Sequence, residues 1–183
     1  MELWDLYTHD RRPTGETMVR GDEVPAGRYR LLVHVCIFNT RGEMLIQRRQ
    51  PHKQGWSGLW DLTVGGSVIA GETTAMGAER ETREEIGLAL SFAEARPSVS
   101  LAFRCGFDDF YIVTADVDPA TLTLQESEVA EVRYATQDEI CAMIDSGDFI
   151  PYKKEFISVL FHLSESPRIL TAPDTTKRKE VKG

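Results

Sequence analysis

Residues 65–88 read GGSVIAGETTAMGAERETREEIGL and crowd Glu79, Glu81, Glu84 and Glu85 into one short segment, with only Arg80 and Arg83 as opposing charges among them. Ala75, Ala78, Thr82 and Ile86 fall three, four and four positions apart. That spacing predicts a helix over 73–86 with those four side chains turned inward. Thr73 or Thr74 can cap its first turn, and Gly87 can end it. On such a helix Glu81, Glu84 and Glu85 stand at i, i+3 and i+4, so they leave one face with Cβ atoms about 5–6 Å apart. Each exposed like-charge pair costs a few tenths of a kcal/mol, and burial raises the cost. Long flexible stems and the two arginines could dissipate it on a solvated surface. The Gly-rich bend before the helix and the further acid at Glu72 favour a different compensation, a hard divalent cation. Mg²⁺ takes oxygen ligands, keeps several waters and bridges to phosphates.

Outward from this segment, strand and helix patterns alternate without internal repeats. RYRLLVHVCIFNT (28–40) predicts a buried strand, and the Arg41-Gly42 turn with EMLIQRR (43–49) completes a hairpin. WDLTVGGSV (60–68) predicts a third short strand running into glycines. SVSLAFRC (98–105) and DFYIVTADV (109–117) predict paired strands around a turn at Gly106, and EVRYAT (131–136) adds another. QDEICAMIDSG (137–147) and KKEFISVLFHLSES (153–166) predict two helices. TAPDTTKRKEVKG (171–183) is polar without periodicity and predicts a loose tail.

The 183 residues, 42% of them hydrophobic, suffice for one domain with a sizeable core. Against 29 acidic side chains stand 21 basic ones, a net charge of −8 that opposes bulk attraction to a nucleic-acid backbone. A polyanionic substrate must therefore be held by local cations. No apolar run reaches the roughly 18 residues of a membrane span, and MELWDLYTHDRRP lacks a signal-peptide core, so a cytoplasmic location away from membranes is expected. Cys36, Cys105 and Cys141 lack CxxC spacing and read as reduced, mostly buried thiols.

The stretch from Gly66 to Leu88 resembles the signature of the Nudix hydrolases: a Gly, five residues, a Glu, seven residues, then Arg-Glu-apolar-x-Glu-Glu-x-Gly-apolar. Gly66, Glu72, Arg80, Glu81, Glu84, Glu85, Gly87 and Leu88 match it in register. Thr82 stands where a bulky aliphatic residue is usual, at an inward position that concerns packing and not ligands. The resemblance implies an α/β fold, an α/β/α sandwich around a mixed β-sheet. It implies an N-terminal extension over 1–27, a Nudix domain over 28–168 and a flexible tail over 169–183. It also implies Mg²⁺- or Mn²⁺-dependent attack of water on a small-molecule diphosphate, by a pyrophosphohydrolase for which a homodimer is permitted. Glu81, Glu84 and Glu85 match the metal-binding acids, and Arg80 matches an arginine that orients them; these four form the expected catalytic set. Glu72 is a ligand or a positioning group. Gly65 and Gly66 allow the backbone to approach a metal or phosphate closely. The general base is Glu84, Glu85 or an acid of LQESEVAEV, where Glu126, Glu128 and Glu131 cluster. A non-catalytic ligand-binding domain is the competing reading within the same fold.

IFNTRGEMLIQRRQPHKQGWSGLWDLTVGG (37–66) resembles part of the type I isopentenyl-diphosphate isomerases, in which an Arg-Arg pair, a Lys and a Trp-x-Gly-x-Trp follow in the same order as Arg48, Arg49, Lys53, Trp56 and Trp60. Lys53 and one of the two arginines are thereby implied as diphosphate contacts. Isomerisation, however, requires a cysteine that Gly65 replaces, and histidine ligands whose positions Ser67 and Arg30 occupy. Without that thiol and those imidazoles, hydrolysis is the expected chemistry. His34, inside a strand, reads as a hydrogen-bonded structural residue, and His52 beside Lys53 as a further phosphate contact. Trp56 and Trp60 either stack on a base or brace a loop, and Phe110 with Tyr111 either line a pocket or fill the core.

Overall fold

The structure, a computed structural model, describes residues 2–166. Strands β1 (Leu3–Tyr7) and β2 (Pro13–Val19) form an antiparallel hairpin of their own. The main sheet holds β3 (Arg30–Phe38), β4 (Met44–Arg49), β5 (Trp60–Asp61), β6 (Val64–Ser67), β7 (Val99–Phe103), β8 (Gly106–Thr114) and β9 (Val129–Ala135). Its order is β5-β4-β3-β8-β7, with β6 also pairing β3 and β9 also pairing β4. The β3–β8 pair is parallel and the others are antiparallel, which makes the sheet mixed. The helices are α1 (Thr74–Ile86), α2 (Gln137–Ser146) and α3 (Lys154–Glu165).

The two-residue period of β3 builds both halves of the core. Val33, Val35 and Ile37 are fully buried on one face with Ala78 and Ile86 of α1. Cys36 and Phe38 point to the other face, against Ile140 of α2 and Ile157, Leu160 and Phe161 of α3. Each fully buried aliphatic side chain contributes about 1.5–3 kcal/mol, and the outcome is the expected layering of helix, sheet and helices. None of the described helices is long and apolar enough to cross a membrane.

The expected β3–β4 hairpin is confined to its turn, where Phe38 opposes Met44. Beyond that pair the strands fork. Thr63, fully buried between β5 and β6, takes the place of the missing rungs: its hydroxyl accepts from Ile37 N (2.9 Å) and donates to the Leu45 carbonyl. Above the fork, β6 pairs with Leu32–Val35 while β5 pairs with Gln47 and Arg48. The predicted third strand is thus split in two, and its glycines lie beside β3.

Helix α1 closely follows its sequence reading. Thr73, not Thr74, is the N-cap, accepting from Met76 N at 3.2 Å, and Gly87 ends the helix at φ 70°. Thr82 is fully buried and donates its hydroxyl to Ala78 O at 2.7 Å, which satisfies the polar group that replaces an aliphatic one. One expectation is filled in and one is corrected. The N-terminal extension contains the β1–β2 hairpin, whose Trp4, Leu6 and Met18 make a small core with Val24 and Ile69. Of the three thiols only Cys36 is buried; Cys105 and Cys141 are half-buried. The expected tail lies outside the described residues.

Candidate active site

The two glycines of β6 decide what can meet above and below that strand. A Cβ on Gly66 would lie 2.0 Å from Glu81 Oε1, and one on Gly65 would lie 2.6 Å from the His34 ring. Successive strand residues face opposite sides. The bare backbone therefore admits a carboxylate of α1 on one face and an imidazole of β3 on the other. Around this crossing lies a cavity of ≈ 670 Å³, lined among others by Gly65, Gly66, Arg80, Glu81, Glu84 and Glu85. Its volume is that of a small-molecule site, for which about 300–1,000 Å³ is typical.

Arg80 organises the acids. Its Nε and Nη2 donate to the two oxygens of Glu72 (2.8 and 3.1 Å), Nη2 also reaches the Ser67 carbonyl (2.9 Å), and Nη1 lies 2.9 Å from Glu81 and 3.1 Å from Glu84. Burial opposes the charge of Arg80, yet hydrogen bonding to Glu72 and the Glu81 charge hold its pKa above the ordinary value. Glu72 is thus held through both oxygens by Arg80, and it also accepts from the Ile69 N–H at 3.2 Å.

Glu85 faces the fork instead. It is 5% exposed and accepts from Gln47 Nε2 at 3.0 Å and Gly65 N at 3.4 Å. Burial, reinforced by the charge of Glu81, pushes its pKa up to about 8 against the partial relief from Gln47. Burial also raises the Glu81 carboxyl, with Glu84 adding to the effect and Arg80 opposing it.

The candidate phosphate contacts divide. Arg49 and Lys53 line the cavity, ion-paired with Asp61 (3.7 Å) and Glu128 respectively. Arg48 lies outside it: adjacent strand residues alternate in direction, and its Nε donates to the Gly58 carbonyl at 3.0 Å while Nη1 lies 4.0 Å from Glu131. Of the acids in the later loop, Glu128 reaches the cavity, whereas Glu126 and Glu131 are exposed outside it, as is His52. Trp56 lines the mouth at 53% exposure. Trp60 lies beneath the Arg133 guanidinium, and Phe110 and Tyr111 belong to the two cores.

Several cavity residues escaped the sequence reading. His34 is hydrogen-bonded as expected, through Nδ1 to Asp108 at 2.8 Å, but it also lines the cavity, its ring stacked on Phe110. Burial opposes its charge, while Asp108, aided by Asp61 and Glu85, holds its pKa above the ordinary value. The Asp108-Asp109 doublet inside an otherwise apolar strand was the available signal. Glu2, Trp4 and Arg20 enter the wall from the N-terminal hairpin, for which no local pattern pointed to a site.

Among the described residues no three acidic, histidine or cysteine side chains converge as a ready-made ion cage. The three helix acids share a face but are held apart, because Arg80 Nη1 sits on Glu81 and Glu84 while Glu85 turns to Gln47. The donor set nonetheless fits a hard divalent cation: it is all oxygen, and Glu85 is a buried carboxyl whose charge is opposed by Glu81 and not balanced by a cation. Two buried polar atoms in the same neighbourhood, Gln47 Oε1 and Arg49 Nε, also lack a partner among the described residues.

Comparison with known proteins agrees with this geometry. Residues 28–167 match the NUDIX domain family. The chain is 44% identical over 169 residues to an uncharacterized Nudix hydrolase of Listeria monocytogenes, covering 92% of this chain and 99% of that one. It is 31% identical over 166 residues to Nudix hydrolase 3 of Arabidopsis thaliana, covering 82% of this chain and 22% of that longer protein. The crystal structure of DR0079 from Deinococcus radiodurans superposes with a TM-score of 0.68 at 25% identity, over 88% of this chain and 98% of the other. With the family matched from residue 28 onward and Glu81 set against Gly66, the chain belongs to the Nudix hydrolases.

Proposed function

We propose that this protein is a cytoplasmic, divalent-metal-dependent hydrolase that cleaves the diphosphate linkage of a small diphosphate compound. The observation that carries the reading is the placement of Glu81 against Gly66, beside buried Glu85, in a cavity that also holds Arg49 and Lys53. Glu81, Glu84 and Glu85 would hold the Mg²⁺ or Mn²⁺ ion, which when bound polarises phosphoryl oxygens and acidifies a coordinated water. Arg80 keeps Glu81 and Glu84 oriented and offsets their repulsion until the ion arrives. Lys53 and Arg49 hold the diphosphate, exchanging their carboxylate partners for phosphate oxygens. Glu85 takes the proton of the attacking water.

The isomerase reading finds no support in the cavity. Among the described residues no cysteine lines it, and the nearest in sequence, Cys36, is buried on the side of α2 and α3 with its thiol pKa pushed up by burial. A panel of diphosphates incubated with Mg²⁺ or Mn²⁺, read by released phosphate or nucleotide, tests the proposal. Glu85→Gln is expected to lower kcat by at least about 100-fold with the fold kept. Wild-type turnover in that variant at saturating Mg²⁺ would overturn the assignment.

A further inference from the structure

Five basic side chains line the cavity: Arg20, Arg30, Arg49, Lys53 and Arg80. Four are ion-paired, Arg20 with Glu2, Arg49 with Asp61, Lys53 with Glu128, and Arg80 with Glu72, Glu81 and Glu84. Arg30 differs. Among the described residues no carboxylate stands within ion-pairing distance of it; its Nη1 donates to Ser67 Oγ at 3.2 Å, and its other side-chain partner is the Cys105 thiol. Its guanidinium is framed by two aromatic faces, 4.5 Å from the Trp4 ring and 5.7 Å from that of Phe103. These rings fix its plane without supplying a counter-charge. A half-buried guanidinium with most of its five N–H donors unused is costly to desolvate, and an arriving anion recovers the cost through paired, charge-assisted bonds.

Its position matters as much as its charge. The run from Asp61 to Ser67 spans at most roughly 20 Å when extended. Arg49 stands at the Asp61 end and Arg30 at the Ser67 end, with Gly65, Gly66 and the helix acids between them. A diphosphate at the acids and Lys53 therefore leaves Arg30 facing whatever the diphosphate is attached to.

We propose that Arg30, with Ser67 and framed by Trp4 of the N-terminal hairpin, is a second anion subsite, which takes a phosphate or carboxylate carried by the group attached to the scissile diphosphate. Its assignment to the attached group rests on the hydrolase reading; its ability to bind an anion does not. Inorganic phosphate and acetate, each titrated into the metal-free full chain at matched ionic strength, separate the two anion classes. One of them is expected to raise the melting temperature above the sodium chloride control in the wild type and in Lys53→Ala. The rise is lost in Arg30→Gln and partly kept in Arg30→Lys, which preserves the charge and serves as the comparison should the glutamine variant fold poorly. On the diphosphate turned over fastest, Arg30→Gln should raise KM at least about tenfold with kcat held within about twofold. An anion response equal in Arg30→Gln and wild type, no response in the wild type, or an unchanged KM overturns the subsite. If no diphosphate is hydrolysed while the Arg30-dependent anion response persists, the hydrolase reading fails and the subsite stands.

Discussion

Gly66 is needed for its missing side chain and not for an unusual backbone, since its φ is not among the positive ones. The 2.0 Å approach of a Cβ to Glu81 Oε1 means that Gly66→Ala must push the carboxylate off the strand. A displacement of that order at a reacting centre costs on the order of 100-fold in rate. Gly66→Ala should therefore lose turnover far more than melting temperature, a contrast that kinetics and a thermal melt on the same preparation would check. Gly65→Ala differs, because its Cβ meets the His34 ring, which is already stacked on Phe110 and has little room to yield. The register of Gly66, Glu81, Glu84 and Glu85 was legible in the sequence. The physical partners were not, because they join residues far apart in the chain. Arg48 and Arg49 show the limit: a two-residue period says that only one of them faces the cavity, but choosing it requires the pairing with β5 and β9.

At the scale of elements, α1 was readable because its period, cap and terminal glycine are all local. The β1–β2 hairpin was not. Its small core joins Trp4, Leu6 and Met18 to Val24 and Ile69, and its fastenings are long-range: backbone bonds between Tyr7 and Tyr29 at 2.8 and 3.0 Å, and among its ion pairs that of Arg11 to Asp109 at 2.9 and 2.7 Å. Asp109 is 1% exposed and also accepts from Ser100, while Arg11 holds a left-handed φ of 60° at the hairpin turn to reach it. That conformation is uncommon for a side chain with a Cβ, and the two charge-assisted bonds offset it. Arg11→Ala is expected to cost about 2 kcal/mol, largely by stranding the Asp109 carboxylate. Adding Asp109→Leu should recover part of the loss, because the stranded charge is then gone. Chemical denaturation of both variants measures the difference, and equal stability of the single and double variants would disprove the account. The same hairpin brings Glu2, Trp4 and Arg20 to the cavity, so the N-terminal extension belongs to the site as well as to the scaffold.

Across the whole molecule, the site links stability to pH and, on the proposed function, to metal. Glu85 has an ordinary pKa of 4.5 when unfolded and about 8 in the fold. The folded chain thus binds its proton more tightly, and stability falls as pH rises from about 4.5 to about 8. His34 acts in the same direction: its raised pKa gives stability that is complete below its unfolded value of 6.5 and lost as pH rises through its folded value. The metal-free protein should accordingly melt lower at pH 8.5 than at pH 6, and Glu85→Gln should flatten the slope by removing the larger carboxyl contribution. A cation that binds the ionised acids adds stability by mass action. Because protons compete for the same carboxylates, the rise in melting temperature on adding Mg²⁺ should be larger at pH 8.5 than at pH 6. Melts at the two pH values, with and without the ion, give all four numbers. A metal-induced rise that is independent of pH would show that Glu85 is not among the groups that hold the ion.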